Sequence, residues 1–252
     1  MALFAGTGGG TVHCSSSTAP VKKLSIVIPI YNERELLPKV LERVRAVNYP
    51  LELELVLVDD QSTDGTREWL RQHEAGKPGV RAVFHKRNVG KGGALRTGFK
   101  HATGDIIIVQ DADMEYEPSE IPSVIRPILD GRCRVSYGSR FLGRMPTGMR
   151  IPNYVANRLL TLMVVLLFGH VITDEATAYK AFEAKTLRKL NLKCKRFEFC
   201  PEVTAKVLLA GERIHEVPAT YFARTFEEGK KIGLRDFFEA VQTLVLCRLG
   251  MM

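Results

Sequence analysis

The 252-residue sequence lacks the features of a disulfide-rich or zinc-binding protein. Its five cysteines are odd in number and form no C-x-x-C pair, which argues against a disulfide framework and against a zinc ribbon. The longest apolar run, residues 159–172, is shorter than the roughly 20 residues of a membrane-spanning helix and contains Gly169 and His170. A buried core helix is the preferred interpretation of this run, and an interfacial segment is the alternative. The cysteine pattern suits a reducing compartment, and we expect a cytoplasmic location.

The first twenty residues lack the basic segment and the long apolar segment of a signal peptide. They are small and polar, and they predict a flexible tail over residues 1–20. The GTGGGT within this tail has no strand before it and no G-K-[ST] after it, so we do not expect a phosphate-binding loop there.

Charge is the main compositional bias. A formal net charge of +8 favours anionic partners such as phosphates, nucleic acid or an acidic membrane surface, although a solvated basic surface without a partner has the same composition. No RNP-like aromatic run, zinc spacing or basic helix accompanies the charge, so we expect no nucleic-acid binding. The hydrophobic content of 45% is that of a soluble protein with a sizeable core.

Apolar strand-length segments alternate with amphipathic ones over the first 130 residues. This order predicts βαβ units and a mostly parallel, Rossmann-like sheet flanked by helices. The predicted strands are 24–30, 53–58, 80–85 and 105–109, and the predicted helices between them are 37–47 and 92–102. Beyond about residue 135 the order is less regular. Candidate strands there are 134–138 and 213–222, and candidate helices are 151–168, 200–210 and 233–249.

The segments that leave the four predicted strands carry the polar residues. Because ligands bind outside the carboxyl ends of strands in open α/β sheets, these segments predict a site. They are YNE (31–33), DDQSTD (59–64), KRNVGKGG (86–93) and QDADME (110–115). Asp111 and Asp113 would lie on one face if the backbone stays extended. Mg²⁺ and Mn²⁺ bind a few carboxylates together with substrate phosphates, so the cluster predicts a metal–nucleotide site.

Five short motifs in order make the chain similar to a known family. VIPIYNE, VLVDDQSTDGT, NVGKGGALRTGF, GDIIIVQDADMEYEP and YGSRF resemble the family 2 glycosyltransferases, in the branch of dolichol-phosphate mannose synthase and the polyprenyl-phosphate glycosyltransferases. The resemblance covers residues 24 to about 235. It implies a GT-A fold, a nucleotide-sugar donor, a divalent metal and inversion at the sugar carbon. We therefore expect a GT-A catalytic domain over 21–232 and a C-terminal amphipathic helix over 233–252.

The resemblance also assigns residues to the donor and the metal. Asp60 matches the carboxylate that contacts the base or ribose, and Asp113 matches a main metal ligand. The expected donor-binding residues are Pro29, Tyr31, Glu33, Asp60, Lys91, Asp111, Lys180, Arg224 and Lys230. The expected metal ligands are Asp111, Asp113 and Glu115, the last standing where the branch often has a metal-contacting glutamine.

The acceptor side follows from the later motifs. Arg140 of GSR matches an acceptor-phosphate ligand, and Arg224 and Lys230 match a basic pair that closes on the diphosphate and the acceptor. The expected catalytic residues are Asp111, Asp113, Arg140 and Arg224. Asp174, Thr177, Tyr179 and Lys180 match a later motif of the branch.

Three features depart from the branch pattern. Tyr154 stands where a second arginine is expected, which leaves Arg150 or Arg158 as substitutes. Glu227 replaces a usual glycine, and we expect none of the transmembrane helices that many relatives carry after the catalytic domain. UDP-glucose, UDP-N-acetylglucosamine and GDP-mannose are all compatible with the residues present.

The chemistry of the acceptor favours a polyprenyl phosphate. A phosphate monoester is largely dianionic at pH 7 and already nucleophilic, so it needs arginines to hold it and no strong base. A saccharide hydroxyl acceptor is the alternative, but the Q-x-x-R-W motif of processive sugar polymerases is missing around Trp69, the one tryptophan. A sugar nucleotidyltransferase is more distant, because YNERE stands where such an enzyme has a Gly-rich loop with Arg and Lys.

The C-terminal segment has an apolar helical stripe next to basic residues. The stripe consists of Leu234, Phe237, Phe238, Val241, Leu244 and Val245. It predicts either a helix packed on the core or an amphipathic helix on an anionic membrane. The second interpretation would place the protein peripherally at the cytoplasmic face of a membrane.

Overall fold

A seven-stranded sheet with the order β3-β2-β1-β4-β6-β5-β7 organises the computed structural model. The structure describes residues 22–143, 146, 148–223 and 233–252, so the predicted N-terminal tail lies outside the described residues. The strands are β1 (Lys23–Ile30), β2 (Glu52–Asp59), β3 (Val80–Phe84), β4 (Ile106–Val109), β5 (Val135–Ser139), β6 (Lys180–Glu183) and β7 (Ile214–Pro218).

Helices lie between successive strands and after the last strand. They are α1 (Leu37–Ala46), α2 (Thr66–His73), α3 (Lys91–His101), α4 (Ile121–Leu129), α5 (Ile151–Phe168), α6 (Ala184–Lys189), α7 (Phe199–Leu209) and α8 (Leu234–Arg248). A short 3₁₀ helix, Pro118–Glu120, precedes α4. All predicted strands and helices are confirmed to within three residues at most ends, and the 213–222 strand is shorter than predicted. Helices α2, α4 and α6 were not predicted.

The central strands are apolar because helices cover the sheet on both faces. Ile26 and Ile28 of β1 pack with Val40 of α1 and Ile125 of α4, while Val27 packs in a second cluster on the opposite face. Alternate residues of one strand therefore serve two cores. The second cluster contains residues of α3, α5, α7 and α8.

Strand β6 is the one strand that runs against its neighbours. It pairs antiparallel with β4 and with β5, whereas β5 pairs parallel with β7. Because β6 is antiparallel to both β4 and β5, the strands β5 and β7 run in the same direction as β1 to β4. The carboxyl ends of six strands therefore meet at one edge, together with the amino end of β6. The sequence analysis did not predict β6, which has four residues.

The two apolar helices near the C-terminus are each divided into a buried and an exposed face. In α5, Leu160 and Val164 are buried, whereas Leu162 and Leu166 are 52% and 74% exposed. The expected core helix is therefore correct for one face only. In α8, Leu244 is buried and Phe238 is 66% exposed, so the predicted single stripe is split between the core and the surface.

Gly98 of α3 allows this helix to lie directly on the sheet. A Cβ atom built at Gly98 would collide with the Cγ1 of Val27, and both residues are in the buried interior. We expect Gly98→Ala to lower the free energy of unfolding by about 1–3 kcal/mol, because overpacking outweighs the better helix propensity of alanine. Urea unfolding measures this loss. The control is Lys100→Ala on the exposed side of α3, and equal midpoints for the two variants would contradict the argument.

Candidate functional site

Tight backbone turns follow the strands at the shared edge. Among the described residues, four non-glycine residues have positive φ, and three of them lie just after strands: Asn32 (55°), Gln61 (63°) and Met114 (63°). A left-handed backbone at such residues is uncommon and concentrates at functional sites. The exits of β1, β2 and β4 are therefore shaped more tightly than ordinary connections.

The exits of β1 and β2 are joined by side chains. The Ser62 hydroxyl accepts a hydrogen bond from Asn32 N at 3.0 Å, and Asn32 Oδ1 accepts one from Thr63 N at 2.8 Å. Glu33 N donates to the Thr66 hydroxyl at 3.1 Å. Of the other predicted base-contacting residues, Pro29 lies within β1 and Tyr31 is 38% exposed at its end. The structure thus brings the predicted base-binding segments together.

Asp60 organises the loop that follows β3. Its carboxylate accepts hydrogen bonds from Val89 N at 2.9 Å and Gly90 N at 2.7 Å, and it contacts His85 Nδ1 at 2.7 Å. Asp60 is 3% exposed, so a contact with a base or ribose would be an addition to these bonds. The neighbouring Asp59 pairs with Arg67 Nε at 2.7 Å. The sequence analysis missed His85, because it took this residue as the last of the predicted 80–85 strand, whereas β3 ends at Phe84.

The glycines after β3 accommodate a protein segment instead of forming an open cradle. Gly92 N and Gly93 N donate to the carbonyls of Arg196 and Lys195, each at 2.9 Å. A Cβ atom at Gly92 would lie 2.8 Å from the Arg196 carbonyl oxygen. The predicted Gly-rich loop therefore has these two N–H groups committed to the 193–196 segment. This close approach explains the glycines without a phosphate.

Glu202 of α7 holds the 193–196 segment in place. Its buried carboxylate accepts hydrogen bonds from Lys193 N and Cys194 N, both at 2.7 Å, and from Lys206 Nζ at 2.6 Å. Burial alone would raise the pKa of Glu202, but these donors hold it below its ordinary value. Sequence reasoning missed this residue because it is one carboxylate within an otherwise apolar helix.

Lys91 and Asp111 form an ion pair at the centre of the edge. Lys91 Nζ lies 2.7 Å from Asp111 Oδ2. Burial alone would lower the pKa of Lys91, but Asp111 raises it above its ordinary value, so the ammonium stays charged. The other oxygen, Asp111 Oδ1, is buried and has no hydrogen-bond partner in the part of the chain that the structure describes. A buried carboxylate oxygen without a donor is suited to a cation or to a hydroxyl group.

The backbone after Asp111 turns and does not continue as a strand. A turn includes Ala112 and Asp113, and Asp113 Oδ1 accepts a hydrogen bond from Glu115 N at 3.1 Å. The extended geometry on which the D-x-D argument depended is therefore absent. Within the described ranges, no three His, Cys, Asp or Glu side chains are grouped closely enough to hold a metal. The predicted trio Asp111, Asp113 and Glu115 is not preassembled.

The donor set nevertheless fits a hard cation that brings its own ligands. Carboxylates are the ligands that Mg²⁺ and Mn²⁺ prefer, and these ions take further oxygens from a bound diphosphate. Asp111 Oδ1 offers one such oxygen in a buried position. Two carboxylates together with the oxygens of a diphosphate can coordinate such a cation, so a complete set of protein ligands is not required.

Arg140 and Asp174 form a buried ion pair at the end of β5. The carboxylate of Asp174 accepts four hydrogen bonds: from Arg140 N at 2.9 Å, Arg140 Nε at 2.7 Å, Arg140 Nη2 at 2.7 Å and Asn157 Nδ2 at 3.0 Å. Burial alone would raise the pKa of Asp174, but Arg140 lowers it below its ordinary value. The pair is charged, and two of the five N–H donors of the Arg140 side chain are used in it.

Aromatic rings connect this pair to the acidic loop. The ring centroids of Tyr116 and Tyr221 are 5.2 Å apart, and the guanidinium of Arg140 lies 5.0 Å from the Tyr221 centroid. Phe222 N donates to the Glu115 carbonyl at 2.9 Å. The acidic loop after β4 and the arginine after β5 are therefore parts of one continuous site.

Of the two candidate substitutes for the second arginine, Arg158 lies close to Arg140. Its guanidinium lies 5.9 Å from the centroid of Phe141, the same ring that the Arg140 guanidinium contacts at 5.6 Å. Tyr154 packs edge-on against Phe141 at 5.5 Å. Arg150 is exposed immediately before α5. Arg224, Glu227 and Lys230 lie outside the described residues.

The later motif lies beneath the site. The hydroxyl of Tyr179 donates to Gln110 Oε1 at 2.6 Å, and the Thr177 hydroxyl donates to the Gly138 carbonyl at 2.5 Å. Lys180 is 0% exposed; its ammonium donates to the Glu175 carbonyl at 2.8 Å and lies 3.6 Å from the centre of the Tyr137 ring. The ammonium of Lys180 therefore lies in the interior, beneath the edge of the sheet. It is not exposed at the surface, where the donor was expected to contact it.

Glu175 has a carboxyl group with no hydrogen-bond partner among the described residues, and it is fully buried. Burial raises the pKa of Glu175 to about 7 from an ordinary value of 4.5. The folded protein thus keeps a proton that the unfolded chain releases near pH 4.5. The stabilising contribution is present below that pH and is lost as the pH rises to about 7.

We expect Glu175→Gln to remove part of the pH dependence of stability. Between pH 5 and pH 8 the wild type should lose about 2–3 kcal/mol more unfolding free energy than the variant, because glutamine cannot titrate. Urea unfolding at several pH values measures the difference. Glu42→Gln, at an exposed position of α1, should behave as the wild type. Parallel pH profiles for the wild type and Glu175→Gln would contradict the shifted pKa.

Solved structures of one enzyme match the fold of this chain. The crystal structure of glucosyl-3-phosphoglycerate synthase from Mycobacterium tuberculosis with Mn²⁺ and UDP-glucose matches with a TM-score of 0.67 and 21% identity, over 92% of this chain and 80% of that chain. The same enzyme with phosphoglyceric acid matches with a TM-score of 0.68 and 20% identity, over 92% and 81%. These matches confirm the GT-A fold.

Curated relatives share more of the sequence. An undecaprenyl-phosphate mannosyltransferase of Micrococcus luteus is 31% identical over 82% of this chain and 86% of its own length. An undecaprenyl-phosphate 4-deoxy-4-formamido-L-arabinose transferase of Serratia proteamaculans is 31% identical over 92% of this chain and 69% of its own length. The family model for glycosyl transferase family 2 matches residues 25–190, which include the acidic loop, Arg140 and Asp174. The chain therefore belongs to glycosyl transferase family 2 and is a glycosyltransferase.

Proposed function

We propose that this glycosyltransferase moves a hexose from a UDP- or GDP-linked nucleotide-sugar to a polyprenyl or dolichyl phosphate, with inversion at the sugar carbon. The observation that carries the proposal is the pairing of two charged centres at one sheet edge. Lys91 and Asp111 follow β3 and β4, Arg140 follows β5, and Asp174 lies in the segment before β6. The first centre suits a sugar diphosphate, and the second suits a second phosphate group.

The donor would lie over the exits of β1 and β2. Tyr31 and Glu33 belong to the segment that is bonded to the β2 exit, and Asp60 fixes the loop that carries Lys91. A nucleoside at this position would bring its diphosphate towards Lys91, whose charged ammonium can hold a phosphate oxygen. Pro29 and Asp60 would define the floor of this pocket.

Asp111 and Asp113 would hold Mg²⁺ or Mn²⁺, with Glu115 as a further ligand from the same loop. When bound, the cation would neutralise the diphosphate leaving group. Asp111 has a second task in this proposal, because Lys91 already neutralises one of its oxygens. Its unpaired Oδ1 is free to accept from a sugar hydroxyl or to bind the metal. The metal-bearing structures of the M. tuberculosis synthase with Mn²⁺ or Mg²⁺ and UDP support this choice of ions.

The acceptor phosphate would be held by arginines and would itself attack the sugar carbon. A dianionic phosphate needs no base to remove a proton, so cations are the only groups required on this side. Arg140 is fixed in orientation by Asp174 and keeps N–H donors beyond those used in the pair. Arg224 and Lys230, outside the described residues, are proposed to close over the two phosphates.

The choice of a lipid acceptor rests on the two curated relatives, each of which is named for transfer involving undecaprenyl phosphate. A protein acting on such a lipid has to meet a membrane, and we place this one in the cytoplasm, peripheral at the cytoplasmic face. The free cysteines of the described residues are compatible with a reducing compartment. A saccharide hydroxyl remains the competing acceptor, and the assay below includes it.

Metal dependence is the first test of the proposal. Asp113→Ala should lower turnover more than about 100-fold while the circular dichroism spectrum is unchanged, because the diphosphate would lose its neutralising cation. Chelation of the wild type should abolish turnover, and Mg²⁺ or Mn²⁺ should restore it. Glu52→Ala, at an exposed position on the opposite edge of the sheet, is the matched control. Full activity in excess EDTA would contradict a metal-dependent reaction.

The acceptor assay measures transfer of label from a radiolabelled nucleotide-sugar into an organic-extractable product. UDP- and GDP-linked sugars are each tested with polyprenyl phosphate and with a saccharide acceptor. We expect label in the lipid product only. Label that moves to the saccharide, with polyprenyl phosphate neither accepting nor competing, would contradict the lipid acceptor.

The contribution of Arg140 requires a paired variant. Arg140→Ala alone would leave the Asp174 carboxylate buried without its partner, which costs about 3–5 kcal/mol of stability. The variant Arg140→Met with Asp174→Asn removes both charges. Its KM for polyprenyl phosphate should rise at least about tenfold, while nucleotide affinity by calorimetry stays within about twofold. Arg140→Lys should recover the wild-type KM only in part. An unchanged KM in the paired variant would exclude Arg140 from the acceptor site.

A further inference from the structure

The outer face of α5 carries a continuous stripe of exposed apolar side chains. Its members are Ile151 (78% exposed), Val155 (47%), Leu159 (47%), Leu162 (52%) and Leu166 (74%). Successive members are three or four positions apart, so they lie on one side of the helix. Among the described residues, α5 is the one helix that is long and apolar enough to cross a membrane, and only 22% of it is buried. We call these five residues the α5 stripe.

The segment that contains the α5 stripe carries charge of one sign. The sequence contains no aspartate or glutamate between Asp130 and Asp174. Arg150 precedes the helix and Arg158 lies within it, and both are exposed. An apolar face bordered by arginines and free of acids is complementary to an anionic lipid surface, because the side chains enter the acyl region while the cations meet the headgroups.

The competing occupant is a second copy of this chain. A two-fold contact between two α5 stripes would place the arginines of each helix near those of the other, with no acidic residue on the helix to pair with them. A bilayer of anionic lipid satisfies both the apolar residues and the arginines. The charge pattern therefore favours the membrane over self-association.

The stripe is continuous with the site at the end of β5. Arg158 lies beside Val155 and Leu159 in the helix sequence, and its guanidinium contacts the same Phe141 ring as Arg140. Leu142, which follows Phe141, is 43% exposed. A phosphate at the membrane surface would thus meet Arg158 first and Arg140 next.

We propose that the α5 stripe is the surface by which this protein docks on an anionic bilayer, and that it presents the Arg140 site to a lipid phosphate in that bilayer. The proposal rests on the proposed function, since it supplies the route of the acceptor. Helix α8 packs against α5, but its exposed face mixes Phe238 with the acidic Glu239 and is less suited to the same role.

The test is sedimentation with sucrose-loaded vesicles of phosphatidylcholine alone or with about one anionic phosphatidylglycerol in three lipids. Wild type should bind the anionic vesicles. Leu162→Glu combined with Leu166→Glu should lower the partition coefficient at least about tenfold, because two apolar side chains are lost and two negative charges are added. Leu209→Glu, at a 47% exposed leucine of α7, is the matched control and should bind as the wild type.

The contribution of charge is tested separately. Arg158→Glu should weaken binding to the anionic vesicles about tenfold, whereas Lys39→Glu should not, because α1 covers the opposite face of the sheet. Equal binding of wild type and the double leucine variant would overturn the proposal. A wild type that is dimeric in gel filtration and becomes monomeric in the double variant would assign the stripe to self-association and would also overturn it.

Transfer assays separate this proposal from the proposed function. A short, water-soluble isoprenoid phosphate needs no membrane, so the double leucine variant should use it as well as the wild type does. With long-chain polyprenyl phosphate in vesicles, the variant should be at least about tenfold slower. Equal rates on the vesicle substrate would overturn docking through α5 while leaving the reaction intact. Failure of the wild type on both substrates would instead contradict the proposed function and, with it, the route proposed here.

Discussion

The ion pair between Arg140 and Asp174 is the contact on which the second half of the site depends. Asp174 accepts hydrogen bonds from Arg140 and from Asn157 of α5, and its own N–H donates to Glu216 of β7 at 3.1 Å. One carboxylate therefore joins the end of β5, the segment before β6, a helix and an edge strand. Because all its acceptor positions are filled, the arginine cannot rotate without stranding a buried charge. A fixed guanidinium is suited to recognising a phosphate, since little conformational entropy is lost on binding.

Strand β6 explains how this contact comes to lie beside the acidic loop. If β6 ran parallel to β4, the segment before it, which contains Asp174, would lie at the opposite edge of the sheet, next to the amino ends of β4 and β5. The antiparallel β6 instead begins at the carboxyl edge, so residues 174–179 lie next to the exits of β4 and β5. Gln110 and Tyr179 then meet across the β4–β6 boundary at 2.6 Å. The direction of a four-residue strand thus decides which charged groups are neighbours.

The first half of the fold could be predicted from sequence because its signals are local. Apolar strands such as 24–30 are followed by polar turns, and the rule that ligands bind at carboxyl ends places Asp60 and Asp111 at one edge. The features that the sequence did not reveal involve contacts between residues distant in sequence. The glycines at 92 and 93 serve the 193–196 segment, and Lys180 faces inward to the Tyr137 ring. Neither partner is identifiable from the spacing of residues around the motif. Metal binding by the 111–115 loop and the roles of Arg224 and Lys230 stay predictions.

The contrast between α5 and α8 shows the same limit for surfaces. Both helices have apolar residues around much of their circumference, and the sequence predicted a core role for α5 and left α8 undecided. The packing of each helix determines which of its faces is buried. Leu160 and Val164 of α5 face the core, as do Ala240 and Leu244 of α8, and the other face of each helix has no neighbour among the described residues. What remains outside differs in charge. The acid-free stretch that contains α5 leaves its outer face apolar and basic, whereas α8 carries Asp236 and Glu239 in its first turns. One face of a helix can therefore pack in the core while its other face contacts lipid. The condition is that both faces carry apolar residues at helical spacing.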